Sequence, residues 1–179
     1  MEVWDLYDEN RQKLNRTMSK SEKRPDGVFN VRVHLCVFNK KGEMLIQQRA
    51  ANKKHWPNIW CTTLSGGVVA GENTKDALQR EIKEEFGIDG FDFSHERPFF
   101  TINTEGSFQD YYLIEKDVNL KDIKFKDGEV QAVKWASKEE ILTMIENKQF
   151  MQHYPSFIEF VFDSRKNRGV LKPEARLKI

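Results

Sequence analysis

Apolar and polar residues alternate from residue 28 to residue 39. Val31, Val33, Leu35 and Val37 point one way, and Arg32, His34, Cys36 and Phe38 point the other. A period of two predicts a strand. Residues 39–42 read as a turn, and Met44–Arg49 as the returning strand. Residues 50–60 form a loop that carries His55, Trp56, Pro57 and Trp60, and 61–64 a short strand behind it. Ahead of this block, Val3, Trp4, Leu6 and Tyr7 followed by Asp8-Glu9-Asn10 predict a strand, a turn and a return through Leu14. The polar segment 19–27 reads as a loop. Further on, 98–103 and 108–115 read as strands around Glu105-Gly106, after a turn at Asp89-Gly90, and 130–135 as another strand. Ser137-Lys138-Glu139-Glu140 has capping-box spacing and opens a helix to about Asn147. A second helix is expected from Pro155 to about Asn167, with Phe157, Ile158, Val161 and Phe162 as its apolar side. The last ten residues read as a tail docked by Val170 and Leu171.

The period changes to helical in the stretch GGVVAGENTKDALQREIKEEFGI, residues 66–88. Gly66, Gly67 and Gly71 predict a loop that a ligand can approach closely. Asn73 or Thr74 can cap a helix over Thr74–Phe86, and Gly87 supplies the left-handed residue that ends it. With Glu81 at zero, Glu84 falls at about 300° and Glu85 at about 40°, so the three carboxylates share one face. Leu78, Ile82 and Phe86 form an apolar stripe beside them. Clustered carboxylates at the edge of a buried stripe repel one another. Arg80 relieves part of that repulsion, and a divalent cation would relieve more. Oxygen donors without thiolate or imidazole suit Mg²⁺ or Mn²⁺.

Composition narrows the picture little. In 179 residues, Lys and Arg number 29 against 28 for Asp and Glu, which speaks against a broad nucleic-acid surface. Local basic clusters at Lys53-Lys54 and at 165–168 remain. The two cysteines, Cys36 and Cys61, form no spacing motif and read as reduced thiols of a cytoplasmic protein. No apolar run approaches membrane-spanning length. The length fits one domain: a leader over 1–27, a core over about 28–136, C-terminal helices over about 137–168 and a tail over 169–179.

The spacing in 66–88 (Gly, five residues, Glu, seven residues, Arg-Glu-Ile, one residue, Glu-Glu, one residue, Gly-Ile) resembles the Nudix box at every fixed position. The resemblance implies an α/β fold, a Nudix-type α/β/α sandwich with a mixed β-sheet. It also implies metal-dependent attack on a diphosphate linkage, X–O–P–O–P. Carried over by residue, Glu81, Glu84 and Glu85 become metal ligands, and the Ser65 carbonyl a further one. Arg80 orients the carboxylates, Glu72 supports the loop, and Gly66 and Gly67 lie against substrate. The base falls either within the box or at Glu129, six residues before Trp135; Glu129 also reads as a solvated residue after Asp127-Gly128. Arg49 is a candidate phosphate contact. Trp56, Trp60, Phe108, Tyr111 and Tyr112 are candidates for stacking on a nucleobase, although aromatics at strand spacing also read as core.

Residues 28–88 are also similar to the branch of this superfamily that contains isopentenyl-diphosphate isomerase, through VRVHLCVFN, KKGEMLIQQRA and KKHWPNIW. The departures are informative. Where the isomerase has its catalytic Cys, a Gly and a metal-binding His, this chain has Ser65, Gly66 and Gly67, and Gly27 stands near the place of a further His. A Ser hydroxyl is a poor proton carrier near neutral pH, and Gly67 has no side chain to bind metal. His34 remains, reading as a core or edge residue, and Asp110 lies near a late carboxylate ligand of that branch. The expectation is therefore a hydrolase of small-molecule diphosphates (a nucleoside di- or triphosphate, or a nucleoside diphosphate-linked compound) on an isomerase-like scaffold. An isomerase of allylic diphosphates and a non-catalytic nucleotide sensor are the competing readings. The expected partners include neither nucleic acid nor a membrane.

Overall fold

The computed structural model describes residues 2–125, 128–167, 169 and 171. The first two strands, β1 (Val3–Tyr7) and β2 (Lys13–Ser19), pair antiparallel as a separate hairpin. The return strand runs five residues past Leu14. The hairpin docks through Tyr7 N to Phe29 O at 2.8 Å and Ala70 N to Val3 O at 2.8 Å.

The main sheet is built on β3 (Asn30–Phe38). On one side β3 pairs parallel with β8 (Ser107–Glu115), which pairs antiparallel with β7 (Phe100–Asn103). On its other side β3 meets β4 (Met44–Arg49) and β6 (Leu64–Gly67), both antiparallel. β4 in turn pairs antiparallel with β5 (Trp60–Cys61) and β9 (Val130–Ala136). The sheet is thus mixed and seven-stranded.

Both faces of β3 are covered, by different helices. Val31, Val33, Leu35 and Val37 pack with Leu78, Ile82 and Phe86 of α1 (Thr74–Phe86). Cys36 and Phe38 pack with Ile141 and Met144 of α2 (Lys138–Glu146) and Ile158, Val161 and Phe162 of α3 (Pro155–Ser164). This is the α/β/α sandwich. It explains why the alternating pattern of β3 carries apolar residues on both faces.

The structure revises several expectations. The strand expected over 61–64 is two pieces, β5 and β6. Gly66 and Gly67 therefore lie in a strand, opposite Val33 and Arg32, and not in a loop. The cap of α1 is Asn73, whose side chain accepts from Lys75 N and Asp76 N, while Asp76 returns the bond to complete a capping box. Gly87 closes that helix at φ 63°. At α2 only half of the expected box forms. Ser137 accepts from Glu140 N, but the Glu140 carboxylate is taken by Lys134 Nζ at 2.6 Å. α3 ends at Ser164, three residues early, where Arg165 turns back and Nη1 donates to Phe162 O at 2.5 Å. Leu171 is exposed and does not dock; Val170, Arg168 and Asp127 lie outside the described residues.

Candidate active site

Arg80 organises the helix side of a cleft of about 520 Å³. Its Nε and Nη2 form a two-pronged pair with the Glu72 carboxylate at 2.9 and 3.1 Å. Nη2 also donates to Gly67 O at 2.8 Å. Nη1 donates to Glu81 Oε1 at 2.9 Å and Glu84 Oε2 at 3.1 Å. One side chain thereby ties strand β6, the turn at Glu72 and two helix carboxylates together, with the planar fork suited to carboxylates. Burial works against its charge, but the bonds and charges of Glu72 and Glu81 raise its pKa above the ordinary arginine value.

Gly66 is required for contact. A Cβ there would stand 2.1 Å from Glu81 Oε1 and 2.2 Å from its Cδ, so only glycine lets the carboxylate lie on the strand. Burial raises the Glu81 pKa, against the lowering influence of Arg80. Glu85 is one turn further on, where its Oε2 accepts from Gln47 Nε2 at 2.9 Å. Burial, with the charges of Glu81 and Glu129 adding to it, pushes the Glu85 carboxyl up to about 8. Glu84 is exposed, and Glu129 lines the same cleft, bound to Lys53 Nζ at 2.5 Å.

These groups can be tested against a divalent cation. The donors are all oxygen, the strand beneath Glu81 carries no side chain, and the raised carboxyl pKa values describe a site short of positive charge. Among the described residues, no three acidic, His or Cys side chains converge closely enough to hold an ion as they stand. The reason is visible: Arg80 holds Glu81 and Glu84, and Gln47 holds Glu85. The donor set fits in kind, and an ion would take Glu84 and Glu85 from these partners.

The cleft is lined by cations as well. It carries Lys20, Arg32, Arg49, Lys53 and Lys54 with His55. Arg49 donates from Nε to His55 O at 3.2 Å. Ser65, Gly66 and Gly67 form the floor. The sequence-expected Glu81, Glu84, Glu85, Arg80, Glu129, Arg49, Ser65, Gly66 and Gly67 are therefore brought together.

Others are not. Asp110 is buried, held by both Nη atoms of Arg11 and by Thr101 Oγ1 at 2.7 Å, and does not line the cleft. Phe108, Tyr111 and Tyr112 are core residues of β8. Trp60 lies under Lys134 Nζ, 4.8 Å from the ring centroid, and Trp56 is exposed beside His55; neither lines the cleft. His34 stacks on Tyr111 at 4.3 Å, and burial pushes its pKa down to about 3, so it is a neutral core residue. Cys36 and Cys61 are buried free thiols, each pushed by burial up to about 12.

Sequence reasoning missed Gln47, Arg32, Glu2 and Lys20. Gln47 and Arg32 read as ordinary alternating strand positions. Glu2 and Lys20 lie in a leader whose docking has no signal in its own pattern.

Comparison with known proteins shows the family and the fold. The family model of the NUDIX domain matches residues 28–159. An uncharacterized Nudix hydrolase of Listeria innocua is 37% identical over 163 residues, 91% of this chain and 95% of that protein. An Escherichia coli isopentenyl-diphosphate Delta-isomerase is 35% identical over 72 residues, 38% of this chain and 40% of its own length. The crystal structure of DR0079 from Deinococcus radiodurans superposes with a TM-score of 0.70 at 21% identity, covering 89% of this chain and 97% of that one.

Proposed function

This chain belongs to the Nudix hydrolase family, and on that premise we propose that it hydrolyses a phosphoanhydride of a nucleoside di- or triphosphate, or of a nucleoside diphosphate-linked compound, with Mg²⁺ or Mn²⁺. The observation that carries this reading is the cleft itself. Glu81, Glu84 and Glu85 line it with Arg80, and Lys20, Arg32, Arg49, Lys53 and Lys54 line it too.

Glu81, Glu84, Glu85 and the Ser65 carbonyl would hold the cation. Bound there, it supplies neutralisation of phosphate charge and acidification of a water. The chain's own groups do the rest. Arg80 fixes Glu81 and Glu84 to the helix face and locks β6 through Gly67 O. Gln47 fixes Glu85. Gly66 leaves room for Glu81 to lie directly on the strand, and Gly67 gives its carbonyl to Arg80. Glu129 is positioned by Lys53 to take the proton from the attacking water. Arg49 faces the substrate as a fixed positive charge.

The isomerase match favours a second reading, isomerisation of an allylic diphosphate. Ser65 and Gly67 stand against it, because neither supplies the proton carrier or the imidazole ligand that chemistry uses. Deuterium incorporation from solvent into isopentenyl diphosphate would establish that reading.

The test is product analysis over nucleoside di- and triphosphates, nucleotide sugars, dinucleotides and isopentenyl diphosphate with Mg²⁺ or Mn²⁺. Wild type is expected to cleave one class, and folded Glu84→Gln and Glu85→Gln to cleave none. Turnover at the wild-type rate by either variant would sink the ligand assignment.

A further inference from the structure

Arg32 is a cation without a partner. It lies mid-sheet on β3, opposite Gly67, is only partly exposed, and lines the cleft. Among the described residues its guanidinium makes no hydrogen bond and no ion pair; Glu81, Glu2, Tyr111, Arg49 and His34 act on it through space. None of its nitrogens is sealed from solvent, so its five N–H donors open onto the cleft with no protein acceptor taking them.

Both nearby carboxylates could have supplied one, and both are engaged elsewhere. Glu2 Oε1 accepts from Trp4 Nε1 at 3.1 Å, and Glu2 Oε2 from Lys20 Nζ at 2.6 Å. Glu81 Oε1 accepts from Arg80. Of the two strand residues opposite it, Gln109 of β8 makes no bond to it, and Gly67 has no side chain. A Cβ there would meet Trp4 Nε1 at 2.6 Å and Glu2 Oε1 at 3.0 Å, so the leader hairpin closes over this glycine. Trp4 and Glu2 of the leader thus cover Gly67 directly, and Arg32, paired with it across the strands, lines the bay of the cleft beside them.

We propose that Arg32 is the anchor of a phosphate subsite, bordered by the leader hairpin, which takes a phosphate group of the substrate. A guanidinium matches phosphate with paired N–H donors, and the desolvation already imposed on it strengthens the contact. The proposal rests on the hydrolase reading for its role in turnover. It names a substrate that carries phosphate on the leader side of the carboxylates, as a polyphosphate chain does. Glu2, paired with Lys20, sets the rim and keeps a net negative charge out of the bay.

Titrating the metal-free protein with inorganic phosphate tests the subsite without turnover. The readout is the Arg32 Nε–Hε signal in a ¹H–¹⁵N spectrum, assigned by its loss in Arg32→Lys. It is expected to shift and saturate. Arg32→Met is expected to weaken phosphate binding about tenfold or more, and Lys54→Met, in the same cleft, less than threefold. A motionless Arg32 signal, or equal losses in the two methionine variants, overturns the subsite. The hydrolase reading fails separately: a saturating Arg32 shift with no metal-dependent cleavage across the panel keeps the subsite and removes that reaction.

Discussion

Two arginines face one cleft in opposite conditions. On the helix wall, Arg80 makes five hydrogen bonds, four to carboxylate oxygens and one to a backbone carbonyl. On the sheet wall, Arg32 makes none among the described residues. The difference follows from what each element can reach. A helix brings residues three and four apart onto one face, so Arg80 finds Glu84 within its own helix and Glu72 in the turn before it. A strand sends its neighbours to the opposite face, so Arg32 finds only what other strands bring: glycine from β6, and from β8 Gln109, which makes no bond to it. A saturated guanidinium works as a strut. An unsaturated one retains its donors for a ligand.

The sharpest way to break this comparison is to remove each charge in turn. Arg80→Met releases Glu72, Glu81 and Glu84 from their common partner. Stability is expected to fall by about 2 kcal/mol, less than for a fully buried pair because Arg80 is partly exposed. That is a melting point lower by roughly 4–8 °C. Hydrolysis should fall on the order of 100-fold, since the carboxylates lose their orientation. Arg32→Met should leave the metal-free melting point unchanged or higher, because it removes an unmatched donor set. Differential scanning calorimetry of the two variants checks both; equal losses would erase the distinction between strut and anchor.

A smaller effect comes from the floor. Gly66→Ala places a methyl within 2.1 Å of Glu81 Oε1 and must push that carboxylate off the strand. Activity is expected to drop on the order of tenfold, while circular dichroism shows the fold retained. Wild-type activity would mean that Glu81 does not work from the position it occupies on β6.

The smallest effect is a pH slope. The Glu85 carboxyl is raised from 4.5 to about 8, so its protonated form is the one the fold prefers. Its contribution to metal-free stability is complete below about 4.5 and is lost as pH rises through about 8. Wild-type melting points measured without metal should therefore decline from pH 5 to pH 9 more steeply than those of Glu85→Gln. The two curves should approach each other at pH 5. Parallel curves would show that Glu85 sits in a more aqueous setting.

Much of this protein was legible in its sequence because its signals are local. The bounds of α1, its Gly87 terminus and the shared face of Glu81, Glu84 and Glu85 follow from helical period and caps, which act within a turn or two. β4 and the alternation of β3 follow from strand period in the same way. The spacing in 66–88 carried the family, since it records several chemical requirements on one short segment.

Only the tertiary structure decided the rest. Strand pairing placed Gly66 and Gly67 in a ladder, because two glycines read as a loop until a partner strand is known. The parallel pairing of β3 with β8 turned Phe108, Tyr111 and Tyr112 into core, and the closing hairpin gave Asp110 its partner Arg11 from 99 residues away. Whether an arginine is matched or bare depends on residues from other strands and from the leader. No period along the chain encodes that, because hydrogen-bond partners are chosen by distance in space.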